Sequence, residues 1–372
     1  MGLNTAFAVL FRFNTHDSFT FKTTIMRRIL AFLLSCSLLS ASAQSIGEVD
    51  LKEINNYGLR KLDGAPKKIY ISQFRFNFQT LYLDKERKVG GFRGGSEYTR
   101  SYKSDVQANL SIGLKGLQEQ DLIDIVNDAY KDLTDKVKAA GYELVPTEAA
   151  AATSPMEGWE RKAGGTLNQS QFDGYVTVSP TGYEYLVRAT KDDGKEKGGF
   201  LSKAQPLSKE LGGAIVLTVN ISVPFAQEAE SAGSKLLGRL GGGAKVVAET
   251  GLQIGNNALN TTGLMAGGSD GSTVFALNAK QSMANINVGN WFLKKPIEIG
   301  DVIEKKKFKS EETAKVDWGT DAGFFRVYDV DNRFMSKVHA VEVNAAKYKA
   351  GVLAAAKKYM DAVWAEIASN LK

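Results

Sequence analysis

Residues 206–225, PLSKELGGAIVLTVNISVPF, decide the fold class. The segment begins as the end of a helix and stops at Gly212 and Gly213, because a helix C-terminus favours glycine at a positive φ. Residues 214–219 are an almost unbroken apolar run, which is typical of a strand covered on both faces. Beyond Asn220 apolar and polar residues alternate, so we expect the strand to run from the core towards an edge. The segment predicts the central strand of an α/β domain.

Two helices and a second long strand accompany this segment. Residues 69–78, IYISQFRFNF, form a β-rich run whose apolar phase changes near Gln73, which predicts a strand with a bulge. Residues 121–140 place apolar side chains at steps of three and four, as in an amphipathic helix that ends at Gly141. Residues 344–371 repeat this pattern and predict a long C-terminal helix that packs on the sheet.

Shorter patterns complete the expected domain. Residues 106–114 alternate with period two, which predicts a strand with one buried face. Residues 175–178 and 183–187 indicate two short strands, and residues 273–291 indicate one or two antiparallel strands. We therefore predict an α/β (α+β) fold, with a mixed β-sheet flanked by helices, for a single mature domain at residues 44–372.

Three polar segments interrupt this plan. Residues 79–104 carry arginines and lysines among glycines, and we interpret them as a solvated insertion, with an anion-binding loop as the alternative. Residues 191–197 are expected to be a solvated charged loop. Residues 227–272 form a long glycine-rich insertion, either a mobile loop or a segment ordered by a partner or membrane. Its GRLGGGAK sequence lacks the Gly-Lys-Ser/Thr ending of a phosphate-binding loop, since Ala244 separates glycine from lysine.

The first residues are predicted to be an export signal. Residues 26–28, MRR, are basic, and residues 29–39 are apolar but too short to span a bilayer comfortably. The small-x-small sequence ASA ends at Ala43, so we expect signal peptidase to cleave between Ala43 and Gln44. The true start is then expected at Met26.

Two alternatives to this interpretation stay open. Residues 1–25, upstream of Met26, have no organised pattern, but they could be a genuine extension. The sequence LLSC, which ends at Cys36, loosely matches a bacterial lipobox, in which the cysteine becomes the lipidated first residue. Residues 1–43 are in either case assigned to targeting.

Composition excludes several function classes for the mature chain. The whole sequence has 47 basic and 41 acidic residues, and removing residues 1–43 leaves 43 and 40, a net charge of +3. This balance does not favour a nucleic-acid partner. Cys36 is the single cysteine, and His339 is the single histidine of the mature chain, so thiolate and multi-histidine metal sites are excluded. Residues 329–332, DVDN, lack the distal glutamate of a calcium loop and are interpreted as a turn. We predict no enzyme activity, cofactor or metal.

Two short motifs carry a family resemblance. A predicted helix leads into GYELV at residues 141–145, and LGGA at residues 211–214 leads into the central strand. This arrangement resembles the α/β module of the curli-secretion channel lipoprotein family. It is also similar to the N-terminal domain of the Tol-system translocation protein and to outer-membrane activators of penicillin-binding proteins. The insertions at residues 79–104 and 227–272 have no assigned counterpart in those families.

The resemblance implies a role in the bacterial cell envelope. We expect a non-catalytic binding or assembly module, in the periplasm or at the outer membrane, with a protein partner that is either another envelope protein or a second copy of this chain. The alternative is a subunit of an oligomeric outer-membrane secretion channel. In that case residues 106–114 and the strands after Thr273 would supply the pore.

Overall fold

The computed structural model is organised around a mixed β-sheet whose strands come from residues 51–293. The described residues are 44–54, 59, 62, 64–88, 106–172, 174–192, 194–197, 200–229, 246–255, 273–280, 288–310 and 338–370. The predicted export signal and the predicted turn at residues 329–332 lie outside them. No helix in this described part is both long enough and apolar enough to cross a membrane.

The described residues form four helices and eighteen strands. The helices are α1 (Glu119–Ala139), α2 (Thr147–Ala151), α3 (Leu201–Glu210) and α4 (Ala345–Asn370), with a 3₁₀ turn at Ser154–Met156. The strands are β1 (Leu51–Ile54), β2 (Lys68–Gln79), β3 (Leu81–Lys88), β4 (Val106–Lys115), β5 (Glu143–Leu144), β6 (Glu160–Ala163), β7 (Leu167–Gln169), β8 (Tyr175–Val178), β9 (Glu184–Val187), β10 (Ile215–Val223), β11 (Ala226–Glu228), β12 (Val247–Thr250), β13 (Gln253–Ile254), β14 (Val274–Asn278), β15 (Gly289–Leu293), β16 (Ile297–Glu298), β17 (Lys307–Lys309) and β18 (His339–Glu342).

The largest sheet has β10 at its centre. Its order is β1-β15-β14-β10-β2-β8-β7, with β5 paired to the beginning of β2. Strand β10 runs parallel to β2 and antiparallel to β14, so the sheet is mixed. Helix α3 ends at Glu210, and Gly212 and Gly213 follow with φ values of 69° and 90°. The predicted mixed α/β fold, central strand and glycine stop are confirmed.

A bulge in β2 sets which side chains face the core. Leu217 pairs with Ile71, but the next residue, Thr218, pairs with Gln73, so Ser72 is the extra residue. The Ser72 hydroxyl lies 2.9 Å from the Leu217 carbonyl oxygen and 2.9 Å from the Thr218 hydroxyl. The phase change near Gln73 therefore predicted the bulge correctly, because an extra residue reverses the alternation of faces.

One face of the sheet is an apolar core against α1 and α4. Beyond the bulge, Phe74, Phe76 and Phe78 of β2 are fully buried on this face. The ring of Phe74 meets that of Tyr130 on α1 edge-on, with centroids 5.1 Å apart. Burying a phenylalanine side chain contributes about 1.5–3 kcal/mol, so this face anchors both helices.

The two long helices occupy the predicted segments. The buried residues of α1 form one stripe, and Gly141 follows the helix with a φ of 83°. The stripe predicted for α4 is buried from Val352 to Ile367, and the Tyr359 hydroxyl donates to the backbone oxygen of Trp291 at 2.7 Å. The prediction that the C-terminal helix packs on the sheet is confirmed.

Three sequence predictions are corrected. The insertion predicted at residues 79–104 begins as β3, which pairs along its whole length with β4. The glycine-rich segment predicted at residues 227–272 holds strands β12 and β13. Strand β4 is buried on both faces at residues 110–114, whereas one buried face was predicted. Both edges of β4 are paired, with β3 on one side and β18 on the other.

Candidate binding face on the central sheet

The sheet face opposite α1 and α4 carries a row of polar side chains. On β2 they are Arg75, Asn77 and Gln79; on β10, Thr218, Asn220 and Ser222; on β8, Tyr175 and Thr177. We call this set the polar face. Near the start of β2 the same face is apolar instead, and Tyr70 and Val216 pack there in a small cluster with α3. The polar face is the largest concentration of hydrogen-bonding side chains that the fold places on one surface of this sheet.

Asn77 is the centre of a hydrogen-bonded network on the polar face. Its amide nitrogen donates to the Asn220 side-chain oxygen at 2.7 Å. Its own side-chain oxygen accepts from the Thr177 hydroxyl at 2.6 Å and from the Ser170 hydroxyl at 3.5 Å. All four residues are buried. Buried polar groups that are bonded in this way stiffen one arrangement of the strands.

Gln79, at the end of β2, hydrogen-bonds to the backbone that follows the neighbouring strand β10. Its side-chain oxygen accepts from the backbone N–H groups of Phe225 and Ala226, each at 3.0 Å. These two N–H groups belong to the turn between β10 and β11, where Pro224 ends the central strand. Gln79 is 5% exposed, so no water competes for these bonds.

A gap in strand pairing lies along one edge of β2. Strand β5 pairs with β2 at Lys68 and Ile69, and β8 pairs with it from Phe76 onwards. Side chains from Tyr183, just before β9, and from Glu196 approach the stretch between these two pairings. The Tyr183 hydroxyl donates to the Ile71 carbonyl oxygen at 3.0 Å.

A clamped carboxylate lies beside this gap. Arg75 Nη1 donates to Glu196 Oε2 at 3.1 Å, and the Tyr185 hydroxyl donates to Glu196 Oε1 at 2.9 Å. Lys162 Nζ lies 3.7 Å from Glu196 Oε1. The side chains of Arg75 and Glu196 are only 12% and 11% exposed, so their ion pair is shielded from water. Shielding makes such a pair more sensitive to the loss of either partner than a surface pair.

Burial, and secondly the Glu196 carboxylate, raise the pKa of the Tyr185 hydroxyl. Tyr185 therefore keeps its proton and remains a donor at neutral pH. Its ring stacks on that of Tyr183, with centroids 5.9 Å apart and an interplanar angle of 12°. Because Tyr183 is fixed by its bond to β2, the stack positions the Tyr185 hydroxyl at Glu196.

Glu196 reaches the polar face from a short hairpin at residues 189–197, which we call the Glu196 hairpin. Thr190 and Glu196 form an antiparallel bridge across it, and Lys197 N–H donates to Ala189 O at 2.8 Å. The Gln171 amide also donates to the backbone oxygen of Glu196 at 2.7 Å. The prediction of a solvated loop at residues 191–197 is therefore wrong for Glu196, because Arg75 and Tyr185 draw its carboxylate inwards.

The other residues considered from the sequence lie elsewhere. His339 is at the start of β18, with its ring 5.0 Å from that of Phe308. Across the described ranges, no group of three or more His, Cys, Asp or Glu side chains is placed to hold a metal ion. The predictions that the chain has no metal, cofactor or catalytic activity stay predictions.

At the predicted cleavage site, Ala43 lies outside the described residues and Gln44 lies within them. The Gln44 side-chain amide donates to the backbone oxygen of Lys347, in the first turn of α4, at 2.7 Å. Ser45 O accepts from Gly300 N–H at 2.8 Å, and Ile46 forms a bridge with Ile299. The chain is thus attached to the fold from Gln44 onwards.

No protein-family model, no curated protein and no solved structure matches this chain. The resemblance to the curli-secretion channel lipoprotein family therefore stays a prediction.

Proposed function

We propose that this protein is an exported component of the bacterial cell envelope, a non-catalytic binding or assembly module in the periplasm or at the outer membrane. The observation that carries the proposal is the position of Gln44. It is the residue expected to follow signal-peptidase cleavage, and it is also the first residue of the compact unit Gln44–Lys372. The first mature residue is expected to take part in the fold, and the Gln44 amide does so through its bond to Lys347 O.

The polar face supports the binding part of the proposal. Arg75, Tyr175 and Thr218 of this face are partly exposed, and the buried network around Asn77 holds their strands in one arrangement. The clamped Glu196 carboxylate accepts bonds from Arg75 and Tyr185, so it is an acceptor rather than an activated base. This chemistry fits recognition better than covalent catalysis.

The test is to express the whole chain with its own N-terminus in a Gram-negative host. The cells are fractionated, and the mass of the purified protein is measured. We expect a periplasmic or outer-membrane protein whose mass corresponds to a start at Gln44. The control variant carries Ala43→Lys, which removes the small residue required at the cleavage site. This variant is expected to keep its N-terminal segment.

Two results would change this account. An uncleaved chain in the cytoplasm would refute the proposal of export. A chain that begins with a lipid-modified Cys36 would keep the envelope location and replace cleavage after Ala43 with lipidation. In that case Cys36→Ser would abolish the modification, which separates the two alternatives.

A further inference from the structure

We propose that Arg75, Lys162 and Tyr185 form a carboxylate-binding site, and that Glu196 occupies it as an internal ligand which an acidic segment of a partner protein displaces. The proposal names the ligand class of the binding face, so it rests on the binding role proposed above. We call the three donors the carboxylate site.

The donors of the carboxylate site converge from three strands. Arg75 belongs to β2, Lys162 to β6 and Tyr185 to β9. Lys162 and Tyr185 are directly paired across the β6–β9 ladder, so their side chains lie on the same side of it. The two Glu196 oxygens divide these donors: Oε2 accepts from Arg75, while Oε1 accepts from Tyr185 and lies near Lys162. Two cations and a hydroxyl around one carboxylate are what recognition of an anionic side chain requires.

The donors belong to strands, whereas the acceptor belongs to a hairpin. Glu196 lies in a run of alternating charges, and its neighbours Lys191, Asp192 and Lys197 are exposed. The base of the hairpin is tied by Thr190, whose N–H and hydroxyl both bond to Glu160 Oε2 at 3.0 Å. Polar contacts of this kind open at lower free energy than a packed apolar core. Glu196 is bridged to Thr190, so its departure opens the base of the hairpin as well. The carboxylate site, which belongs to strands, can stay in place.

The side chain of Glu196, which occupies the carboxylate site, indicates which class of external ligand the site would bind. Glu196 presents a carboxylate on a flexible arm that projects from an extended backbone, since Thr190 and Glu196 form a β-bridge. A glutamate of a partner segment that lies beside β2 offers the same group with the same reach. The internal and the external carboxylate compete for one site. The affinity for the partner therefore depends on the free energy that is needed to open the Glu196 hairpin.

The first experiment removes the internal ligand and restores it from solution. Glu196→Ala lacks the carboxylate and the methylene that carries it, which together correspond to acetate. The melting temperature of the purified chain is measured at neutral pH in sodium acetate and in sodium chloride of equal ionic strength. We expect acetate at ten times its Kd to raise the Tm of Glu196→Ala by about 2–4 °C. The matched control is Asp192→Ala, which removes an exposed carboxylate from the same hairpin and is expected to show no acetate effect.

The second experiment asks whether an external carboxylate displaces Glu196 in the unmodified chain. The probe is a glutamate-rich peptide, with its glutamine-rich counterpart as the control, and hydrogen exchange of residues 189–197 is measured with each. We expect faster exchange with the glutamate peptide only. The chain with Arg75→Gln is expected to show no peptide effect.

Three outcomes would overturn the proposal: no acetate effect on Glu196→Ala, an equal effect when Arg75→Gln is added, or no change in hairpin exchange with the glutamate peptide. The last result would leave Arg75 and Glu196 as a structural ion pair. Neither experiment depends on where the cell places the protein. A failure here leaves the export experiment standing, and a cytoplasmic location leaves these binding results interpretable.

Discussion

Replacing Gln79 with methionine tests whether the polar face stabilises the fold through specific hydrogen bonds. Methionine has nearly the same length and volume as glutamine, but its thioether is only a weak acceptor. The substitution therefore leaves the backbone N–H groups of Phe225 and Ala226, each now 3.0 Å from the Gln79 oxygen, without their acceptor. Because Gln79 is 5% exposed, water cannot easily replace it.

The expected cost follows from these two orphaned donors. An unsatisfied buried donor costs about 1–3 kcal/mol, so two of them cost about 2–6 kcal/mol. Burying the more apolar methionine side chain offsets about 1 kcal/mol of this. We expect the free energy of unfolding to fall by about 1–5 kcal/mol, a substantial part of the stability of a typical domain. The turn between β10 and β11 is expected to loosen first, because both orphaned N–H groups lie there.

The assay is urea unfolding followed by tryptophan fluorescence, since Trp291 is fully buried in the core. The matched control is Gln73→Met, at a half-buried position of the same strand, for which we expect a change below about 0.5 kcal/mol. If both substitutions change the unfolding free energy equally, the bonds of the Gln79 oxygen do not stabilise the turn. Hydrogen exchange at Phe225 gives a second readout, because the N–H that loses its acceptor should exchange faster.

Three further predictions concern backbone strain, surface ion pairs and alkaline pH. Gly174 has a φ of +78° and its added Cβ would lie 1.9 Å from Leu81 O, whereas Gly158 has a φ of +73° and open space. In chemical unfolding, Gly158→Ala should cost about 1–2 kcal/mol and Gly174→Ala clearly more; equal losses would contradict the steric argument. Lys357→Met, which removes a partly exposed ion pair between α4 and α1, should cost less than about 1 kcal/mol in the same assay. A larger loss would mean that this pair is better shielded than its exposure indicates. Burial raises the pKa of Tyr183 well above its ordinary value of about 10. Since the folded pKa is the higher one, its stabilisation is present below about pH 10 and lost as pH rises further, so tyrosinate absorbance and loss of circular dichroism should change together. Ionisation that precedes unfolding would argue against burial.

Periodicity alone predicted the elements that carry the core. The apolar run of β10, the stripe of α1 and the phase change at Gln73 each reflect burial on a regular backbone, so local sequence encodes them directly. The bulge shows how sensitive this reasoning is. Without the extra residue at Ser72, the apolar face that begins at Phe74 would point away from α1.

Periodicity did not predict β3 or β12. The sequence of β3, LYLDKERK, has a charged second half that resembles a solvated loop, and the segment around β12 is rich in glycine. Strand β3 forms because β4 supplies a partner along its whole length, and β12 lies between β11 and β17. Strand formation here depends on tertiary neighbours, and intrinsic β-propensity is weak compared with such pairing.

The carboxylate site was also beyond the sequence, because its charged partners are far apart in the chain. Arg75 and Glu196 are separated by 121 residues, and only the fold brings them together. One signal was available. Arg75 interrupts the phenylalanines of β2, and a charge in a buried strand requires a partner. The sequence does not identify that partner, since Glu196 lies among several other charges.

The polar face divides into a part bonded within the sheet and a part bonded to a hairpin. Asn77 bonds to Asn220 and Thr177, both in neighbouring strands, so opening the Glu196 hairpin leaves this network intact. Arg75 instead bonds to Glu196, whose carboxylate would leave with the hairpin. An incoming acidic segment would therefore replace one charge pair with an equivalent one, while the buried Asn77 network keeps the strands in place. Because the exchange creates no unpaired buried charge, its free energy depends on the hairpin contacts that are lost, and weakening the Thr190–Glu160 bonds should strengthen partner binding.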